Sequence, residues 1–436
     1  MRKYIFLILS LICSGCAGNL NQQNEQVPQP EPQINANNNE TAEQSGENIY
    51  HSENAKPAME NEGKAVNNIN DASQDDASNA AEIPEPEPLE PVQVDPEEVK
   101  KLHVSADWFV PSASRRWYKQ ISKYANRTYL SEFFDLIGYK LPEHTYALIA
   151  PLKTRHGKVS MQYYSYLDTA FEYSMTEDGE ENYWPASTVK LTAAVMALLK
   201  LSEFGANSQA IVSYTNPEGE YNDTVEKLCQ DAIIPSSNEA YNRLMEIAGF
   251  DEINDNYLPK VFHFPKMVLQ RRYVRKNPDD SLRHSPEIHF IQGETEGTIP
   301  ERSSSGKIRE SCPREANCTT LAELAEVMLR VVKHEELSEK RRFALELSEI
   351  DMLRDALKKA PSCIGDGVSI AMGRNAVVYN KGGKVIGDDR LEIAVVSSAN
   401  KREQYLIALS MPYYEGVERE TNRLAMRLIE AMQLRQ

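Results

Sequence analysis

Residues 184–192 read Trp184-Pro185-Ala186-Ser187-Thr188-Val189-Lys190-Leu191-Thr192, and the pattern predicts the start of a helix that runs from Ala186 to Leu201. Pro185 is well placed to open it, because the fixed φ of proline suits the first turn and its missing N–H is no loss there. Residues three apart on a helix share one face about a turn from each other, so the Ser187 hydroxyl and the Lys190 amine become neighbours. A neutral amine so placed can take the hydroxyl proton, and a serine near a helix N-terminus has N–H groups directed at a developing oxyanion. The pattern alone is weak. Ser-x-x-Lys occurs three times in the chain, at Ser187, Ser304 and Ser398, and an ordinary helix start accounts for any one of them.

Two later stretches give it context. Ser236-Ser237-Asn238 falls between helical segments Thr224 to Ile233 and Asn238 to Ile247, where either serine would serve as a helix N-cap. Lys381-Gly382-Gly383 follows a strand-like run from Ala376 to Asn380, where a glycine pair ordinarily marks a turn or bulge. Around these, Trp117, Ile121 and Tyr124 lie at helical spacing, and a second helix is expected near Tyr129 to Ile137. Thr145 to Leu152 and Val159 to Leu167 read as a hairpin with residues 153–158 as its loop. Thr319 to Val332 and Leu337 to Leu357 continue the helical block, Leu391 to Ser397 and Gln404 to Met411 are strands, and Glu415 to Leu434 is a closing helix. That order predicts an α+β domain whose antiparallel sheet is built from both chain ends, with a mostly helical subdomain between.

Taken together, Ser-x-x-Lys on a helix, Ser-x-Asn at a helix junction and Lys-x-Gly on a late strand resemble the penicillin-recognising serine hydrolases, most closely the class A β-lactamases. Further support comes from Ser236-Ser237-Asn238-Glu239-Ala240 with Leu244, from Thr319-Thr320 opening a helix, and from Arg390-Leu391-Glu392-Ile393-Ala394-Val395-Val396. The resemblance covers roughly residues 110–436 and implies a β-lactamase/transpeptidase-like fold. It implies Ser187 as the nucleophile of an acyl-enzyme and Lys190 as the amine that activates it. Ser236 would relay a proton to the leaving nitrogen, and Asn238 would hold the substrate amide or the Lys190 amine. Lys381 would supply positive potential for a substrate carboxylate, and Gly383 would belong to the same substrate-binding strand. The N–H groups of Ser187 and Lys384 would form the oxyanion hole. No cofactor or metal is implied, since chain groups supply both nucleophile and base. The implied partners are a β-lactam or a peptidoglycan peptide of the D-Ala-D-Ala type.

The sequence departs from the family in two places. Gly382 stands where a Thr or Ser hydroxyl is usual, and no Glu-x-x-Leu-Asn pattern for the deacylating base occurs between Asn238 and Thr319. An acyl-enzyme that persists is therefore expected. Glu287, Glu294 and Glu296 are the acids available as replacement bases. The interval 268–318 is long, carries Arg-Arg-Tyr-Val-Arg-Lys at 271–276 and reads as loop from 286 onward. It is either an insertion that reshapes the cleft or a solvated surface loop. The same departures leave room for a catalytically idle lipoprotein that binds cell-wall peptide or a protein.

The chain has 436 residues and a formal net charge of −17. Residues 17–100 contain 18 acids against Lys56, Lys64 and Lys100, with nine prolines and one aromatic. Such a composition predicts a disordered acidic linker, which would extend about 50 Å as a flexible chain. The remaining 101–436 domain carries only about −4, with no basic excess to release counterions from a nucleic acid. Arg2-Lys3, an apolar run from Tyr4 to Ile12 and Cys13-Ser14-Gly15-Cys16 read as a signal peptide of residues 1–16. Its end resembles a lipobox, with Cys13 in place of the usual Leu, which implies lipidation at Cys16, export and attachment to a membrane of the bacterial cell envelope. Cys229, Cys312, Cys318 and Cys363 then remain and allow three full pairings, Cys312 and Cys318 being near enough to clip a loop.

Overall fold

The structure is a computed structural model that describes residues 88–102, 110–111, 117–171, 185–216, 219–273, 284–304, 317–385 and 389–435. The expected signal peptide, Cys16, most of the acidic linker, Trp184, residues 274–276 and Cys312 lie outside the described residues.

The main sheet is antiparallel and seven-stranded. Its path runs Val110–Pro111, Lys158–Met161, Tyr146–Arg155, Gln404–Pro412, Asp389–Ser397, Val377–Lys384, and Tyr164–Tyr166 also pairs with Tyr146–Arg155. The two chain ends meet where Tyr405 pairs with Pro151 and Ser410 with Tyr146, as the order of elements predicts. Alternation along the strands feeds two separate cores. Leu148, Ala150, Ile393, Val395, Leu406 and Ala408 belong to one, which includes the helix Leu321–Val332. Ala147, Ile149, Ala394, Val396, Ile407 and Leu409 belong to the other, with Leu424, Leu428 and Ile429 of the closing helix Val417–Arg435. Because both faces are covered, Tyr405 to Met411 is buried without a break.

Several boundaries differ from those expected. The hairpin turn tightens to His156-Gly157, both in the left-handed region at φ 50° and 68°. The strand expected to end at Asn380 runs from Val377 to Lys384, so the Lys381-Gly382-Gly383-Lys384 motif lies within the sheet. The helix expected over Leu337 to Leu357 is confined to Leu347–Lys359, because Arg341 turns inward to a buried Glu326 at 2.6 Å. The stretch expected to be loop from residue 286 forms the strands Ile288–Gln292 and Thr295–Ile299. These extend Ile211–Asn216 and Gly219–Thr224 into a second, four-stranded sheet. Folded chain also begins before residue 101. Val99 is buried in the second core, and the Val92 N–H donates to Glu430 Oε1 at 3.0 Å.

At the centre of the helical subdomain, the helix Lys190–Ser202 is buried at every position from Lys190 to Leu201. Only a helix that is apolar nearly all round can sit there, which makes its first residue, a lysine, conspicuous. Cys318 is disulfide-bonded, whereas Cys229 and Cys363 are buried free thiols.

Candidate active site

Ser187 sits in a short 3₁₀ turn, Ala186–Val189, that leads directly into the Lys190 helix. The Thr188 hydroxyl donates to the Pro185 carbonyl at 2.5 Å and fastens the turn. Ala186 holds φ +47°, a left-handed conformation that costs a non-glycine residue of order 1–3 kcal/mol. Its carbonyl accepts a 2.7 Å hydrogen bond from the Tyr273 hydroxyl. The strand Val377–Lys384 lies against this turn. A Cβ on Gly383 would stand 3.0 Å from Ala186 Cβ and 3.2 Å from both the Pro185 carbonyl oxygen and the Ser187 nitrogen. A side chain there would be tight against this turn and would push the strand or the Ser187 amide back by a few tenths of an ångström. Ser187 and Lys384 thereby border one cleft of about 260 Å³.

Two lysines converge beneath it. Lys190 Nζ bonds the Ser236 carbonyl at 2.5 Å, Asn238 Oδ1 at 2.7 Å and Ser236 Oγ at 3.2 Å. Lys381 Nζ donates to Ser236 Oγ at 2.9 Å and to the Gly382 carbonyl at 2.9 Å. Burial, helped by the charge on Lys381, lowers Lys190 to about 7. Burial likewise lowers Lys381 to about 8, with Glu392 opposing the shift and Arg390 adding to it. The adjacent serines divide their work. Ser237 caps the helix Asn238–Ala248 by accepting from the Ala240 N–H at 3.1 Å, and Ser236, at φ +61°, is left to face the lysines. Asn238, for which two roles were open, holds the Lys190 amine. The other Ser-x-x-Lys serines make ordinary local contacts, Ser304 with Asp251 and Ser398 with Asn400.

The opposite wall is the described part of the basic run. Arg271, Arg272 and Tyr273 line the cleft and are held from behind. Asn317 bonds the backbone of Gln270 and Arg271, Tyr241 donates to the Arg271 carbonyl, and Asn242 bonds both the N–H and the carbonyl of Tyr273. Tyr273 stacks on Tyr241 with centroids 4.6 Å apart. Glu287, Glu294 and Glu296 are exposed on the second sheet or beside it and do not line this cleft. Residue pattern alone missed Tyr273 and Asn242, although Asn242 lies one turn beyond Asn238, a spacing that places both on one helical face.

The gap at Gly382 is also occupied. Glu392, its cross-strand partner, places Oε2 2.8 Å from where a Gly382 Cβ would be. Its carboxylate accepts from Ser362 Oγ at 3.2 Å and from the Cys363 thiol at 3.1 Å. A threonine side chain there would have to displace the Glu392 carboxylate from this position.

The model of the beta-lactamase enzyme family matches residues 146–429. Among solved structures, the chain is similar to a point mutant of PBP-A described as an acyl-enzyme complex with penicillin G, at 15% identity over 70% of this chain and 96% of that one, TM-score 0.44. It is also similar to a class A beta-lactamase from Bacteroides cellulosilyticus, at 14% identity over 73% and 98%, TM-score 0.44. No curated protein matches it in sequence.

Proposed function

Because the chain belongs to the beta-lactamase enzyme family, we propose that it is a serine acyl hydrolase or transferase acting through a Ser187 acyl-enzyme on β-lactams or D-Ala-D-Ala-type peptides. The observation that carries this reading is the Lys190 amine. It starts a buried helix one turn from Ser187, is held by neutral oxygens, and is lowered to about 7, so a large fraction is an unprotonated base at neutral pH. Ser187 Oγ attacks the carbonyl carbon while Lys190 Nζ takes its proton. The C–N bond then breaks, the departing nitrogen takes the Ser236 proton, and Ser236 regains one from Lys190. The Ser187 amide, with that of Lys384, stabilises the oxyanion.

Deacylation is slow in this reading, since the sequence lacks the Glu-x-x-Leu-Asn pattern, and among the described residues that line the cleft there is no carboxylate and the Tyr273 hydroxyl is committed to Ala186. Export and lipidation at Cys16 would hold the enzyme at a membrane of the cell envelope, within reach of peptidoglycan. Intact-protein mass spectrometry with benzylpenicillin tests the reading. The expected result is a long-lived adduct that maps to Ser187 and is lost in S187A. No adduct and no drug consumption would overturn it, and rapid consumption would overturn slow deacylation. An unmodified Cys16 in protein isolated from membranes would remove the anchor.

A further inference from the structure

We propose that Tyr273 is a positioning residue for the oxyanion hole: its hydroxyl, bonded to the Ala186 carbonyl, fixes and polarises the peptide group whose other end is the Ser187 N–H. The inference rests on the Ser187 acyl-enzyme reading and adds a residue that belongs to none of the three motifs.

The Ala186 carbonyl and the Ser187 N–H are two ends of one trans peptide group, so they point in opposite directions. The carbonyl end is held at one wall of the cleft, where it accepts from the Tyr273 hydroxyl at 2.7 Å. The nitrogen end lies at the other wall, 3.2 Å from where a Gly383 Cβ would stand, beside the strand that carries Lys384. Among the described residues the Ser187 N–H has no acceptor of its own, which suits a donor reserved for a developing oxyanion. A hydrogen bond accepted by the carbonyl draws electron density towards its oxygen and makes the N–H at the far end a better donor. The same bond resists rotation of the peptide plane. That matters because Ala186 holds φ +47°, a conformation that a non-glycine residue keeps only when its surroundings impose it.

Tyr273 is in turn held from the helix behind it. Its N–H donates to Asn242 Oδ1 at 2.7 Å, and Asn242 Nδ2 donates to its carbonyl at 3.3 Å. The ring stacks on Tyr241 with centroids 4.6 Å apart and planes 25° apart, so the hydroxyl has little freedom to leave Ala186. Tyr241 and Asn242 both belong to the helix Asn238–Ala248, whose first residue accepts from Lys190 Nζ at 2.7 Å. One helix therefore places the base through Asn238 and, through Tyr273, the amide that meets the charge the base helps to create. Such double use of one rigid element keeps nucleophile activation and oxyanion stabilisation in register.

The test is Tyr273→Phe, which keeps the ring and its stack and removes one hydroxyl. Parent and variant are compared by the rate of Ser187 acylation over a range of benzylpenicillin concentrations. They are also compared by infrared difference spectra of the acyl-enzyme, in which the ester carbonyl band reports the strength of the hydrogen bonds it accepts. The maximal acylation rate is expected to fall about tenfold, less than the roughly 10²–10³-fold that loss of an oxyanion donor itself costs. The half-saturating concentration should not change, and the ester band should move to higher wavenumber. An unmoved band would overturn the proposal, and so would an effect confined to the half-saturating concentration, which would make Tyr273 a substrate contact. If Tyr273→Phe fails to fold, replacement of Tyr273 by 3-fluorotyrosine, a stronger hydroxyl donor, answers the same question. The band is then expected at lower wavenumber, and an unmoved band would overturn the proposal. Absence of any Ser187 adduct in the parent would overturn the acyl-enzyme reading and this proposal with it, whereas an adduct whose band ignores residue 273 overturns the proposal alone.

Discussion

Lys190 and Lys381, at 0% and 3% exposure, are as deeply buried as Arg330 and Arg341, at 3% and 1%, yet the two pairs of cations are held in different ways. The arginines share one buried carboxylate, Glu326, which accepts from Arg330 Nε at 2.7 Å and from Arg341 Nε and Nη2 at 2.8 and 2.6 Å. Burial alone would raise that carboxyl, but the two guanidiniums outweigh it and hold it ionised. The lysines meet neutral oxygens, and both titrate near neutrality. What separates a structural charge from a chemical one is therefore the direct partner and not the depth: a paired buried ion is fixed, and an ion held by dipoles is poised to change state.

Removing the poised amine should have the largest effect. Lys190→Met is expected to slow Ser187 acylation by about 10²–10⁴-fold, as read by the rate of adduct formation, while leaving the fold intact. Breaking the paired cluster should do the reverse. Glu326→Gln leaves two buried guanidiniums uncompensated and should lower stability by about 3–5 kcal/mol in denaturant melts, with acylation per folded molecule unchanged.

A third expectation concerns pH. With Lys190 lowered to about 7 from 10.5, folded and unfolded chains both carry the proton below 7. Between about 7 and 10.5 only the unfolded chain does, so this group's contribution makes the protein more stable as pH rises through that window. Melting temperatures of Lys190→Met should lack that slope, and an unchanged slope would contradict the depressed lysine. The smallest effect is expected for Asn238→Ala, which removes one neutral acceptor from the amine and should cost about tenfold in acylation rate, the scale of one hydrogen bond.

The three motifs were legible in the sequence because each depends on local spacing: Ser187 and Lys190 a turn apart at a helix start and Ser236 before another, whereas Lys381 was read as following its strand and lies within it. The second sheet was not legible. Gly219–Thr224 reads Gly-Glu-Tyr-Asn-Asp-Thr and shows almost no burial, so an edge strand gave no alternation to detect. The break before Leu347 was hidden for a different reason. Arg341 looks like one more charge on an amphipathic helix, and only the position of Glu326, fifteen residues earlier, shows that it turns into the core. Glu392 was read as part of a strand, and its meaning depends on Gly382 across the ladder, a relation that no linear spacing encodes.

The order of strands in the main sheet has a consequence for when activity can arise. Among the described residues, Val377–Lys384, which carries Lys381 and Gly383, is at the end of the sheet path and pairs only with Asp389–Ser397, which reaches the early strand Tyr146–Arg155 through Gln404–Pro412. A chain emerging from the N-terminus can form the Ser187–Lys190 helix early, but the second lysine and the glycine wall are not fixed until residue 412 has joined. A nascent or truncated chain is therefore expected to be inert however well its helices form. A fragment ending at residue 400 should show helical circular dichroism without Ser187 acylation, and an acylated fragment would refute this account of assembly.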